Sequence, residues 1–195
     1  MYTRNCEIKP GRDFPEGMRR IALGVEYDGS NFHGFQIQQS ATNTLQQHLQ
    51  AGLSSVADEP ITLVCAGRTD AGVHATEQVV HFDTLADRPL KAWNLGVNAR
   101  LPAGVCVRWA KDIGPDFHAR FSAIARRYRY LILNRPTRPA LYGTQLTWFK
   151  RPLAFDAMRA AAACLIGEHD FSALRAAQCQ AKNPIRTIQQ IQMAQ

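Results

Sequence analysis

The chain has 195 residues, a formal net charge of +7 and a hydrophobic content of 46%, enough to bury a core in one large or two small domains. No apolar run approaches the roughly 20 residues of a membrane-spanning helix, and the charged N-terminus lacks the apolar stretch of a secretory signal. We therefore expect a cytoplasmic protein with no membrane partner. Its five cysteines form no CxxC or Cys/His pattern, so we expect reduced thiols and no metal site.

The first half of the chain alternates between strand and helix patterns. In residues 19–27 apolar side chains recur at every second position, which is typical of a half-buried strand. A helix is predicted at about 44–56, begun by a capping box of Thr44 and Gln47. The remaining patterns predict strands at 61–66 and 77–84, a second helix marked by Leu90, Trp93 and Val97, and a strand marked by Val105, Val107 and Trp109.

This order of elements, βαββαβ, is typical of a ferredoxin-like unit with its helices on one face of an antiparallel sheet, an arrangement shared with RNA-recognition domains. The second half predicts strands at 126–134 and 145–149, a helix from Phe155 that ends at Gly167, and a strand from 184. It lacks a closing helix and strand. We therefore predict an α+β protein with a flexible extension at 1–18, an N-terminal domain at 19–112 and a truncated C-terminal domain at 113–195.

The positive charge is concentrated in one stretch. Between Asp116 and Asp156 there is no acidic residue. Arginines and lysine alternate there with aromatic side chains: Arg120, Arg126, Arg127, Arg129, Arg135, Arg138, Lys150 and Arg151, with Phe117, Phe121, Tyr128, Tyr130, Tyr142 and Trp148. Arginine supplies phosphate contacts and aromatic rings supply stacking surfaces for bases, so the stretch favours a nucleic-acid partner. A solvated basic face is the alternative.

The loop GRTDAGVH at 67–74 joins two apolar strands and contains one arginine and one acid. Arg68 can hold the carboxylate of Asp70 ionised, and an ionised, oriented Asp can act as a nucleophile or as a base. The plainer interpretation is a turn in which Asp70 accepts hydrogen bonds from local backbone N–H groups. The local chemistry alone favours that turn without excluding the catalytic role.

The full sequence around this loop resembles the A-type tRNA pseudouridine synthase family. The motifs agree in order and spacing from about residue 19 to about residue 186. Phe35 stands where the family usually has Trp, and family chains normally continue past this point with further strands and a helix. The segments that carry the resemblance are YDGSNFHGFQ at 27–36, AGRTDAGVHAT at 66–76, GVNARLP at 96–102, DFHARFSAIARRYRY at 116–130 and GEHDFSALR at 167–175.

The resemblance implies an isomerase that converts uridine to pseudouridine in the anticodon stem-loop of tRNA, with Asp70 as nucleophile and with neither cofactor nor metal. It implies two ferredoxin-like units with an active-site cleft between them, and a homodimer in the full-length form. Arg68 and Tyr128 are the expected substrate-binding residues. For His118 a packed histidine is an equal alternative. The expected RNA-binding residues are His118, Arg120, Arg126, Arg127 and Arg129.

Two other functions remain open from the sequence. The chain can be a non-catalytic RNA-binding fragment that keeps the fold without the closing C-terminal block. It can also be a metabolic enzyme that uses Asp70 as a base on a small anion. The acid-free arginine stretch argues against the second of these, because a small anion needs few cations.

Overall fold

The computed structural model describes residues 14–38, 42–175 and 183–195. These residues divide into two compact units, and the division falls between Tyr130 and Leu131. The first unit thus includes the segment 113–130, which the sequence analysis assigned to the second domain. Most of the predicted extension, residues 1–13, lies outside the described residues.

The first unit is built on a four-stranded antiparallel sheet in the order β2-β3-β1-β4. Its strands are β1 (Arg19–Tyr27), β2 (Val64–Cys65), β3 (Ala75–Thr84) and β4 (Val105–Ile113). Helix α1 (Leu45–Ala57) connects β1 to β2, and a π-helical turn (Ala92–Gly96) lies between β3 and β4. The βαββαβ order and the antiparallel α+β class are confirmed for this unit.

The core lies between one face of the sheet and the helices. Ile21, Leu23 and Val25 alternate along β1 and are fully buried, but Ala22 and Gly24 between them are buried as well. This stretch of β1 is therefore covered on both faces, and the prediction of a half-buried strand is wrong for it. Leu49 and Leu53 of α1 pack into the same cluster. Trp93 closes the cluster from the π-helical turn, with its ring 5.1 Å from that of Phe82. This packing fixes β1 and β3, the two strands that flank the candidate site.

Helix α1 begins one residue later than predicted and without the capping box. Thr44 is the N-cap, but its hydroxyl makes no capping bond and has no hydrogen-bond partner among the described residues. Gln47 instead accepts a hydrogen bond from the backbone N–H of Asn43, at 3.3 Å. The prediction of a capping box is wrong because the Gln47 side chain reaches one residue further back than the motif requires.

The described residues of the second unit form two small sheets and one α-helix. Strand β5 (Ile132–Asn134) pairs in parallel with β6 (Thr147–Phe149), and β7 (Gly167–Asp170) pairs antiparallel with β8 (Ile185–Ile188). Helix α2 (Phe155–Ala163) lies between β6 and β7. None of the described residues after Ala119 is buried.

Two predictions for this part of the chain are wrong. The strand predicted at 126–134 forms only over the three residues of β5, because residues 123–130 have no backbone partner in a sheet. Gly167 does not end a helix. Helix α2 ends at Cys164, and Gly167 begins β7 with a φ of +109°, a conformation that glycine tolerates. None of the helices in the described part of the chain has the length and apolar character needed to cross a membrane.

Candidate active site

Asp70 lies on the loop between β2 and β3, which comprises residues 67–74 and is called the Asp70 loop below. Both Asp70 and Arg68 are exposed. The loop turns at Asp70, whose carbonyl accepts a hydrogen bond from the N–H of Val73 at 3.2 Å. Gly72 has a φ of +78°, a value that favours glycine. The carboxylate is therefore presented at the surface of the first unit by a tight turn.

Two side chains from the sheet hold this loop from beneath. The hydroxyl of Tyr27, at the end of β1, lies 2.8 Å from the hydroxyl of Thr69. Gln78 of β3 donates a hydrogen bond to the carbonyl of Gly67. Tyr27 is only 2% exposed, and burial raises the pKa of its hydroxyl, so Tyr27 stays protonated.

The segment 27–36 packs directly on the backbone of the Asp70 loop. The N–H of Phe35 donates to the carbonyl of Thr69 at 2.9 Å. A Cβ at Gly29 would lie 2.0 Å from the carbonyl oxygen of Val73, and one at Gly34 would lie 2.9 Å from that of Thr69. Gly34 also has a φ of +86°. Both positions therefore need glycine so that the two loops can approach each other.

His74, at the C-terminal end of the Asp70 loop, also contacts the segment 27–36. Its Nδ1 accepts a hydrogen bond from the N–H of Gly29 at 3.2 Å and lies 3.1 Å from Oδ1 of Asp28. Asp28 in turn accepts a hydrogen bond from the N–H of Ser30 at 2.9 Å, as the N-cap of a short 3-10 turn. These contacts tie the C-terminal end of the Asp70 loop to the segment 27–36.

One arginine bonds to the residue that precedes the Asp70 loop. The guanidinium of Arg126 donates to the carbonyl of Ala66, and its Nε lies 3.0 Å from where a Cβ of Gly67 would be. Burial raises the pKa of the nearby Cys65 thiol, while the positive charges of Arg68, Arg120 and Arg126 oppose that rise.

The segment that carries Arg120 is tied to the sheet. Arg20 on β1 makes a two-point contact with Asp83 on β3, at 2.6 and 2.8 Å, and donates to the carbonyl of Phe117 at 2.7 Å. The buried His81 accepts a hydrogen bond from the N–H of Ala119 at 3.1 Å. This part of the chain therefore has a fixed position on the face of the sheet opposite the core.

His118 is packed among aromatic rings. Its ring centroid lies 4.8 Å from that of His81 and 4.3 Å from that of Phe121, on which it is stacked. Burial lowers the pKa of His118, and the charge of Arg20 lowers it further. These contacts favour the packed histidine, and an RNA contact by His118 stays a prediction.

The other predicted residues lie on an exposed segment. Tyr128 is 82% exposed, and Arg127 and Arg129 beside it are also exposed. Of the predicted site residues, Arg68 lies on the Asp70 loop and Arg126 bonds to the residue before it. Among the described residues the structure shows no bond that ties Tyr128, Arg127 or Arg129 to that loop.

Sequence reasoning missed the residues that support the loop. Gln78 is polar at an inward-facing position of β3, in register with Val25 and two residues before the buried Val80. A polar residue that interrupts a buried face of a strand needs a hydrogen-bond partner, and this was the available signal. In the described ranges, no group of three or more His, Cys, Asp or Glu side chains is arranged to hold a metal ion.

Comparison with known proteins agrees with these features. The model of a tRNA pseudouridine synthase family matches residues 24–122 and 161–195. A relative from Alcanivorax borkumensis is 56% identical over 176 residues, which are 90% of this chain and 66% of the relative. For Dechloromonas aromatica the identity is 56% over 90% of this chain and 67% of the relative. For Pseudomonas aeruginosa it is 54% over 91% and 62%. All three are named tRNA pseudouridine synthase A.

The chain belongs to the tRNA pseudouridine synthase family, which confirms the resemblance found in the sequence. It spans about two thirds of the length of the curated relatives that it matches.

Proposed function

We propose that the protein to which this chain belongs is an isomerase that converts uridine to pseudouridine in tRNA, with Asp70 as nucleophile. The observation that carries the proposal is the placement of Asp70. Its carboxylate is exposed on a loop that is held by Phe35 and Tyr27 and that also carries the exposed Arg68. An exposed acid on a fixed backbone, next to groups that bind phosphate, suits attack on a nucleotide.

The reaction needs no external reagent. A carboxylate oxygen of Asp70 attacks either C1′ of the ribose or C6 of the uracil, the N-glycosidic bond breaks, and the base turns. A bond then forms between C5 and C1′, the bond between Asp70 and the nucleotide breaks, the proton on C5 is lost and N1 takes up a proton. Atoms and electrons balance within the nucleotide, which is why neither a cofactor nor a metal is part of the proposal.

The arginines and aromatic residues supply the RNA contacts. A uridine inside a stem must leave the stack before its reacting atoms can be reached. Arg68, two residues from Asp70 and exposed, is placed to enter the vacated space. Arg120 and Arg126 contact phosphates near the loop, and Arg127 and Arg129 extend this surface. Tyr128 is the proposed platform on which the extruded uracil stacks.

The substrate proposed is the anticodon stem-loop of tRNA, and the proposed assembly is a cytoplasmic homodimer. An elongated tRNA needs a larger footprint than one small protomer provides. These statements rest on the family resemblance and on the basic surface.

The test is to replace Asp70 by Asn or Ala and to measure pseudouridine in tRNA transcripts. Conversion by either variant is expected to fall below detection, while tRNA binding persists because the arginines are unchanged. Asp58→Asn is a matched control, since Asp58 is exposed at the end of α1 in the left-handed conformation that Asn tolerates. Turnover by Asp70→Ala would exclude Asp70 as nucleophile.

A second candidate function is tRNA binding without turnover. The exposure of Tyr128, Arg127 and Arg129 favours it, because binding groups that are not held against the Asp70 loop can serve affinity alone. The two functions differ in one measurement. A protein that binds tRNA tightly at low salt and leaves every uridine unconverted under single-turnover conditions is a binding protein.

A further inference from the structure

The Asp70 loop is supported by two partly buried hydrogen bonds from the sheet that the proposed chemistry does not itself use. Gln78 donates to the carbonyl of Gly67, and the hydroxyl of Tyr27 lies 2.8 Å from that of Thr69. Gly67 and Thr69 are the residues on either side of Arg68, and Thr69 directly precedes Asp70. These two hydrogen bonds therefore restrain the loop around both Arg68 and Asp70.

The burial of Tyr27 makes its hydrogen bond to Thr69 a strong restraint on the Asp70 loop. Tyr27 is 2% exposed and packs against Phe35, with ring centroids 6.3 Å apart. A hydroxyl at such a site is costly to leave without a partner, because water cannot replace the lost bond. The hydroxyl of Thr69 and its carbonyl, which accepts from Phe35 at 2.9 Å, are both held from the same segment. Rotation of the Thr69 peptide would break both bonds.

We infer that Tyr27 and Gln78 are positioning residues, which hold Arg68 and Asp70 in the geometry that the reaction needs without touching the substrate. The inference rests on the proposed function for its kinetic consequence. The hydrogen bond from Gln78 to the carbonyl of Gly67 also explains why this inward-facing position of β3 is occupied by a polar residue rather than by an apolar one.

The kinetic test removes single hydroxyl groups. Tyr27→Phe and Thr69→Val are each expected to lower kcat about 10- to 100-fold, the effect of a small displacement of a reacting group. The KM for tRNA is expected to stay within about twofold, because the arginines that bind RNA are unchanged. Thr69→Ser keeps the hydroxyl and is expected to restore kcat. The double variant should be no worse than either single variant, since both remove the same bond.

Thr84→Val is the matched control. Thr84 is 2% exposed and bonds to Glu59 at the opposite end of β3, so its loss tests the general cost of removing a buried hydroxyl. The inference is supported when Thr84→Val lowers stability without changing kcat per folded molecule. It is overturned when Tyr27→Phe turns over tRNA as the unaltered protein does. It is also overturned when Thr69→Val alone is impaired, because Thr69 then acts on the substrate directly.

A second measurement does not depend on activity. Hydrogen exchange at the amides of Phe35 and Gly72, which donate to Thr69 and Phe32, reports whether the two loops stay docked. Faster exchange in Tyr27→Phe and Thr69→Val, but not in Thr84→Val, supports the inference even when the unaltered protein forms no pseudouridine and the proposed function fails. Unchanged exchange in both variants overturns it.

Discussion

The imidazole of His81 on β3 accepts a hydrogen bond from the backbone N–H of Ala119, with 3.1 Å between Nδ1 and the nitrogen. His81 is buried, and its pKa is lowered to about 4. Burial is the main cause and the positive charges of Arg20 and His118 add to it, whereas Asp83 acts in the opposite direction. A protonated Nδ1 could not accept this bond, so this tie to the segment that carries Arg120 forms only with the neutral ring.

This contact predicts a pH-dependent stability. The pKa of His81 is about 4 in the folded protein, against 6.5 for an unperturbed histidine, so the unfolded chain binds the proton more readily. The stabilisation is fully present above about pH 6.5 and is lost as the pH falls toward 4, by about 3 kcal/mol in total. Urea unfolding at a series of pH values measures it.

His81→Asn is the informative variant, because its Oδ1 can accept the same hydrogen bond and cannot be protonated in this range. Its free energy of unfolding is expected to vary much less with pH between 4 and 6.5. The lowered pKa of His118 leaves a smaller dependence of the same sign. If the variant loses stability over this range as steeply as the unaltered protein does, His81 is not the group that titrates.

The close approach of Gly29 to Val73 predicts a second effect. Gly29→Ala would place a methyl group 2.0 Å from the carbonyl oxygen of Val73, and a backbone atom cannot move aside as a side chain can. The Asp70 loop must shift, so we expect a loss of about 1–3 kcal/mol in stability and a lower kcat for pseudouridine formation. Chemical denaturation and a tRNA conversion assay measure the two effects.

Gly114→Ala is the control, because Gly114 has open space where its Cβ would lie. A second pair of variants, at Gly34 and Gly17, separates the effect of backbone strain from the effect of contact with the Asp70 loop. Gly34 and Gly17 have similar positive φ values, +86° and +79°, but only Gly34 faces the Asp70 loop. Gly34→Ala should impair conversion and Gly17→Ala should not. Equal effects of the two would mean that backbone strain, and not contact with the loop, is what matters.

Arg126 and Arg127 are neighbours in the sequence with different predicted effects. Arg126 donates to Ala66 at the start of the Asp70 loop, whereas Arg127 is exposed. Arg127→Ala is expected to weaken tRNA binding and to lower the log–log salt slope by about 1, by loss of one phosphate contact. Arg126→Ala is expected in addition to lower kcat. Identical kinetic profiles for the two variants would contradict a role for Arg126 in holding the loop.

The sequence predicted those parts of the fold whose determinants are local. The alternation of Ile21, Leu23 and Val25 and the stripe of Leu49 and Leu53 specify β1 and α1 because each pattern matches the period of its element. The resemblance identified the Asp70 loop, since its motif occupies consecutive residues. These features need no knowledge of which distant segments meet.

What could not be predicted depends on contacts between segments distant in sequence. The bond between Arg126 and Ala66 joins residues far apart in the chain, and nothing in the RRYRY sequence distinguishes Arg126 from Arg127. The hydrogen bond between Tyr27 and Thr69 likewise joins residues that lie far apart in the chain. The apolar alternation at 126–134 predicted a strand, but a strand also needs a neighbour for its backbone groups, and only Ile132–Asn134 has one.

The difference in burial between the two units predicts a difference in local stability. Strand β3 pairs with β1 and β2 and contributes the buried Val80 and Phe82. In contrast, β7 and β8 form a two-stranded sheet in a unit with no buried residue among those described. An isolated two-stranded sheet is marginally stable. Because an amide exchanges through the least costly opening that exposes it, β7 and β8 should exchange through local opening and β1 and β3 only through unfolding of the whole unit.

Hydrogen exchange followed by mass spectrometry measures this directly. The exchange rate of the amides in β1 and β3 is expected to depend on the free energy of unfolding of the first unit. A destabilising variant such as Thr84→Val should therefore make these amides exchange faster. The amides of β7 and β8 are expected to exchange fast and to be insensitive to Thr84→Val, because their opening does not involve the first unit. If β8 exchanges as slowly as β3 and responds equally to Thr84→Val, the two units unfold together, and burial within each unit does not set its stability.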